Sequence, residues 1–97
     1  MLEINFTQEA REDLDWFRKF DQVRILDGIA KQLADQPAKE TRNRKRLRPG
    51  SLTEWELRIG TARVFYDLQV DANVVKIVAI GYKKGNRLIF RGQEQQP

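Results

Sequence analysis

The 97-residue chain contains no cysteine and no histidine, and only one methionine and three prolines. Without cysteine and histidine there can be no disulfide framework, no Cys/His zinc site, no thiol nucleophile and no imidazole acid or base. Any catalysis must use other groups. Long apolar runs are missing too, and nothing approaches the roughly 20 residues that span a bilayer. The N-terminal Met1-Leu2-Glu3-Ile4-Asn5-Phe6 has neither a basic n-region nor an apolar h-region. The expectation is a cytoplasmic protein with no membrane association.

Mean hydropathy is −0.66 and 40% of the residues are hydrophobic, wet for a globular chain but too apolar for disorder. The length suits a single domain over 1–97. The net charge of +4 is unevenly spread: residues 1–38 carry −3 and residues 39–97 carry +7. A basic second half attracts polyanions, whose phosphates reward Lys and Arg through counterion release.

Leu2, Ile4 and Phe6 alternate with polar residues, which predicts a strand over 2–6. Thr7 is a candidate N-cap, and Ala10, Leu14 and Phe17 recur at helical spacing, giving a first helix over about 8–19. Asp21 caps a second, whose apolar face reads Leu26, Ile29, Ala30 and Leu33 before Pro37 stops it. The two form an antiparallel hairpin. From 38 to 51 the periodicity vanishes, and Lys39, Arg42, Arg44, Lys45, Arg46 and Arg48 crowd what reads as a solvated basic connector.

Period two then takes over. Trp55, Leu57 and Ile59 face one way and Glu54, Glu56 and Arg58 the other. After Gly60-Thr61, the core-facing set is Ala62, Val64, Tyr66, Leu68 and Val70, with Arg63, Phe65, Asp67 and Gln69 opposite. Val74–Ile80 reads as a central strand extended by Gly81–Lys84, and Gly85-Asn86 turns into a strand at Leu88–Phe90. The Gln-rich tail over 92–97 is expected to fray. The predicted class is α+β: an N-terminal strand and a two-helix hairpin packed on one face of an antiparallel β-sheet. The other face is left partly open, bearing Glu54, Glu56, Arg58, Arg63 and Asp67, with Lys83, Lys84 and Arg87 near its end.

The order of these segments, with Ala10-xxx-Leu14, Lys45-Arg46-Leu47, the run Glu56-Leu57-Arg58-Ile59-Gly60-Thr61-Ala62-Arg63-Val64-Phe65-Tyr66 and the step Ala79-Ile80-Gly81-Tyr82-Lys83, resembles the RelE/ParE toxin superfamily over residues 2–91. The resemblance implies the toxin of a toxin–antitoxin pair. For the RelE branch it implies an endoribonuclease that cuts mRNA in the ribosomal A site, inhibits translation, and uses no metal or other cofactor. The implied partners are a cognate antitoxin, the ribosome with its mRNA, and operator DNA only through the antitoxin. Arg63 matches the arginine that contacts the scissile phosphate, Arg58 its neighbour on the preceding strand, and Lys83 the basic residue after the strand-ending glycine. Phe90 stands about where RelE enzymes have tyrosine, and Glu54 and Glu56 where they have lysines. The same fold in ParE-like toxins poisons DNA gyrase, and a homologue without nuclease chemistry would serve as a binding or autoregulatory partner.

Metal-free RNA cleavage needs a base for the 2′-hydroxyl, positive charge for the transition state and help for the leaving 5′-oxygen. Arg58, Arg63, Lys83 and Arg87 supply charge. For the base the candidates are Glu56 and then Glu54, while a cross-strand pair between Glu56 and Arg63 is the structural alternative. Arg42, Arg44, Lys45, Arg46, Arg48, Lys84 and Arg91 suit RNA or ribosome docking, or else a solvated loop or an acidic antitoxin surface. Tyr82 is either a base-stacking ring or a packing residue, Phe90 occupies a base-contacting position, and Tyr66 is expected in the core with its hydroxyl satisfied. Trp16 and Trp55 read as core or antitoxin-contact residues.

Overall fold

A computed structural model of the chain describes residues 2–69 and 71–94. The sheet consists of β1 (Glu3–Phe6), β2 (Arg44–Arg46), β3 (Trp55–Ile59), β4 (Ala62–Gln69), β5 (Val74–Lys84), β6 (Arg87–Phe90) and β7 (Gln93–Glu94), and the helices are α1 (Gln8–Trp16) and α2 (Lys19–Leu33). Strand order is β2-β3-β4-β5-β6-β7, with β1 paired to β5. Every pairing is antiparallel except β1 with β5, where Ile4 opposes Val75 and Phe6 opposes Ile77 in a parallel ladder. The first strand is therefore part of the sheet and makes it mixed. α1 is the first part of the crossover that a parallel partner requires.

The helices differ from their expected limits for local reasons. α1 stops at Trp16 because Phe17 and Arg18 take extended backbone, ψ 154° at each. The Thr7 hydroxyl caps α1 as expected, accepting from Ala10 N at 3.1 Å. α1 makes its main contacts with β5 and α2 with β3, rather than with one another. On α2 the buried face is Ile25, Ile29 and Leu33, while Leu26 and Ala30, expected inside, lie outside. The segment Val23-Arg24-Ile25-Leu26 offers two apolar registers one residue apart, and the sheet selects the one with isoleucines inward.

Trp55, Leu57, Val64, Tyr66, Val75, Ile77 and Ile80 join those helix residues in the core. Tyr66 is fully buried, and its hydroxyl donates to the Pro37 carbonyl at 2.7 Å. Burial pushes the Tyr66 phenol well above its ordinary value of 10.0, against a smaller opposing effect of Arg44.

Two stretches expected to be irregular are strands. β2 lies within the expected connector and pairs with β3, Arg44 opposite Leu57 and Lys45 opposite Glu56. Gln93–Glu94 pairs with β6. Val70 and the tail residues 95–97 lie outside the described residues.

Candidate anion-binding site on the helix-free sheet face

β3 and β4 place Arg58 directly opposite Arg63, and Glu56 opposite Phe65. Alternation puts these four side chains on the face away from the core residues Leu57 and Val64. On β5, Gly81 stands opposite Arg63, and Lys83 follows two residues later on the same face. On β2, Lys45 stands opposite Glu56. Arg58, Arg63, Lys83, Lys45 and Glu56 thus share one face. Glu56 is diagonal to Arg63, so the direct cross-strand pair considered from sequence does not form.

Like charges directly opposite one another destabilise a sheet, so the Arg58/Arg63 pair has to be held by other contacts. The Arg63 Nη1 donates to Gly60 O at 2.9 Å and Ala62 O at 3.0 Å, anchoring the guanidinium at the β3–β4 turn. Its Nε is buried and has no hydrogen-bond partner. Partial burial lowers the Arg63 pKa, Arg58 lowers it further, and Glu56 opposes them. A guanidinium remains a cation under these influences, but an incompletely compensated one. An oxyanion between the two arginines would relieve their repulsion and offer an acceptor to their free N–H groups.

Phe90 borders this site. A Cβ on Gly81 would meet the Ile89 carbonyl at 2.7 Å and the Phe90 ring at 2.9 Å, so the glycine lets the ring lie over the strand beside Arg63. The ring also meets Phe65, centroids 5.8 Å apart, and the residue is partly buried.

Other expected site residues are placed elsewhere. Arg44 is buried and serves α2: its Nη1 donates to Gln32 O and, at 3.3 Å, to Asp35 O, and its Nε to Lys39 O at 3.1 Å. It occupies a core-facing β2 position, which removes it from any RNA surface, and satisfies carbonyls at the end of the helix. Arg91 is engaged by α1, with Nε donating to Asp13 at 2.7 Å, Nη1 to Glu12 at 3.1 Å and Nη2 to Glu9. Asp13 and, after it, Glu9 raise the Arg91 pKa, the Asp13 hydrogen bond foremost.

Arg87 stands opposite Lys84 on the helix-side face of the β5–β6 hairpin, and its Nε lies 3.6 Å from Glu94. Neither it nor Lys84 therefore joins the Arg58/Arg63 cluster. Tyr82 faces the helices, stacked on Trp16 with centroids 5.5 Å apart and planes at 10°, which leaves it the packing role. Glu54 is paired with Arg46 at 3.6 Å, and the Arg46 guanidinium sits 5.9 Å over Trp55. Arg42, Lys45, Arg46 and Arg48 are exposed.

Sequence reasoning missed Asp13. β5 is flanked by β1 at residues 74–77 and by β6 at 82–84, which leaves a gap between them. There the Asp13 carboxylate accepts from Ile80 N at 2.9 Å and the Thr7 hydroxyl donates to Val78 O at 3.0 Å. The available signal was a carboxylate three residues after Ala10, on the inward stripe with Leu14 and Phe17.

The model of the ParE toxin of type II toxin–antitoxin systems matches residues 4–87. The chain belongs to the ParE toxin family. It is a toxin of a type II toxin–antitoxin system, within the superfamily that joins RelE, YoeB and ParE. Among solved structures, the RelBE2 toxin–antitoxin complex from Mycobacterium tuberculosis is similar at 23% identity and a TM-score of 0.74, covering 84% of this chain and 91% of that one. The RelE–RelB complex from Pyrococcus horikoshii is similar at 20% identity and 0.66, covering 87% and 96%. The YoeB dimer from Staphylococcus aureus is similar at 25% identity and 0.64, covering 86% and 98%. No protein of curated function matches in sequence. The RelE-like fold is thus established, and no helix among the described residues is long and apolar enough to cross a membrane.

Proposed function

We propose that the toxin is a ribosome-dependent endoribonuclease that cleaves mRNA in the A site, acts in the cytoplasm as a single domain, and is neutralised by a cognate antitoxin. The observation that carries this reading is the opposed Arg58/Arg63 pair, with Arg63 Nε buried and unpartnered. In this reading the two guanidinia hold the non-bridging oxygens of the scissile phosphate and stabilise charge as it builds in the transition state. Glu56 takes the proton of the 2′-hydroxyl, the 2′-oxygen bonds to phosphorus, and the P–O5′ bond breaks. Lys83 donates a proton to the departing 5′-oxygen. The products are a 2′,3′-cyclic phosphate and a 5′-hydroxyl. Phe90 stacks a neighbouring base.

A second reading has its own support. The family model that matches is that of the ParE toxin, and ParE-like toxins use this fold to poison gyrase. Purified toxin mixed with programmed ribosomes, followed by primer extension, separates the two. Discrete A-site cuts, absent with Arg63→Ala, are expected. No cuts together with inhibited gyrase supercoiling would overturn the nuclease reading.

Removing the exposed cations Arg42, Lys45 and Arg48 together is expected to flatten the salt dependence of RNA binding. The log–log slope should fall by about 0.7 for each single-strand phosphate that these side chains neutralise. Single-turnover cleavage at saturation should change far less. An unchanged slope would take this segment off the RNA.

A further inference from the structure

α2 presents an apolar stripe that nothing among the described residues covers: Phe20 is 73% exposed, Val23 61% and Leu26 42%. They lie at i, i+3 and i+6, with Val23 central and the other two about 60° to either side at 3.6 residues per turn. Lys19 and Asp27 flank Val23 four residues before and after, and both are exposed. Asp27 also pairs with Lys31 at 3.0 Å in a solvated contact, which leaves it available to a second cation.

We infer that α2 is a self-association surface, joining two copies of this chain through an antiparallel helix pair centred on Val23. A two-fold axis through Val23 sets Phe20 against Leu26 of the second copy, Val23 against Val23, and Lys19 against Asp27 of the second copy. Each apolar side chain meets an apolar one, and each charge meets its opposite, twice per dimer. That is the self-complementarity a two-fold interface requires. The charges flanking the stripe are of both signs, which suits a copy of the same helix better than a partner of uniform charge. α2 lies across the sheet from the Arg58/Arg63 face, so dimerisation leaves both arginine sites open.

The contact, from Lys19 to Asp27, spans about two and a half turns of one helix and falls short of the roughly 800 Å² per partner of a standard interface. Association is therefore weak and concentration-dependent.

Sedimentation velocity of the full chain over a concentration series tests this. The expected result is a monomer–dimer equilibrium that Val23→Asp abolishes without changing helical content or thermal midpoint. Asp27→Lys should weaken it about tenfold, or 1.4 kcal/mol, because both symmetry-related pairs turn repulsive. Lys19→Asp combined with Asp27→Lys should restore it. A monomer up to the solubility limit, or a dimer indifferent to Val23→Asp, would overturn the inference. A monomer whose α2 amides gain exchange protection only with antitoxin would assign the stripe to the antitoxin instead. Neither readout depends on whether the toxin cuts RNA.

Discussion

Arg44 and Arg63 carry the same guanidinium to opposite ends. Arg44 lies on the core side of β2 and spends its donors on carbonyls of the last turn of α2 and of the segment that follows it, whereas Arg63 lies on the helix-free face with Nε unused. Substitution should separate the two. Arg44→Ala leaves the Gln32, Asp35 and Lys39 carbonyls without this donor and is expected to cost about 1.5–3 kcal/mol in chemical denaturation, the range for a charged hydrogen-bond donor. Lys45→Ala, one residue on and solvent-exposed, should stay within about 0.5 kcal/mol. Arg63→Ala should leave stability near that of the parent, since its removal also removes repulsion with Arg58, while slowing the proposed cleavage strongly. Equal stability losses for Arg44→Ala and Lys45→Ala would contradict the division of labour between the two faces of β2.

At the scale of elements, the gap in the β5 ladder explains how α1 is held. Asp13→Ala removes the acceptor of the Ile80 N–H and is expected to cost about 1–3 kcal/mol, with faster amide exchange at Ile80 as the specific readout. Unchanged exchange there would show that water replaces the carboxylate at no cost. Gly28→Ala, which on propensity alone would favour a helix by up to about 1 kcal/mol, should destabilise: its Cβ would come within 2.6 Å of the Ile59 side chain and push α2 off β3.

The elements differ in how legible they were from sequence. β3, β4 and β5 announce themselves through alternation or a continuous apolar run, and with them the face that carries Glu56, Arg58 and Arg63. β2 could not be seen because its three residues, Arg-Lys-Arg, carry no apolar signal; its inward position is filled by the aliphatic stem and hydrogen-bonded head of Arg44. The same charge run concealed Arg44's structural task. The buried register of α2 was ambiguous because both candidate faces are apolar, and the exposed one is the stripe proposed for self-association. Arg91 looked free because its acidic partners, Glu9, Glu12 and Asp13, lie some eighty residues away in sequence, a juxtaposition only the β5–β6 hairpin creates.

At the scale of the whole molecule, the sheet divides the protein into a helix-covered side that holds it together and a cationic side free to meet an anion. Tyr66 makes the first side sensitive to alkali. Its folded pKa lies above the ordinary 10.0, so the stability it supports is fully present below about pH 10. That stability falls as pH climbs from there toward the folded value, by up to about 1.4 kcal/mol per pH unit. Tyr66→Phe should flatten this decline relative to the parent in denaturation series from about pH 8 to about pH 11, at the cost of the hydrogen bond to Pro37. Parallel declines in the two proteins would contradict it.

The cationic side carries the central claim, that the Arg58/Arg63 pair stabilises a phosphorane-like transition state. The most direct test is the single-turnover rate of mRNA cleavage on programmed ribosomes for the parent, Arg58→Ala, Arg63→Ala and the double variant. If each guanidinium contributes as oxyanion-stabilising donors do in other enzymes, each single substitution should slow cleavage on the order of 10²–10³-fold. The double variant should lose less than the product, since the pair acts on one phosphate. Cleavage at parental rate in Arg63→Ala, with the protein folded and ribosome-bound, would contradict the account.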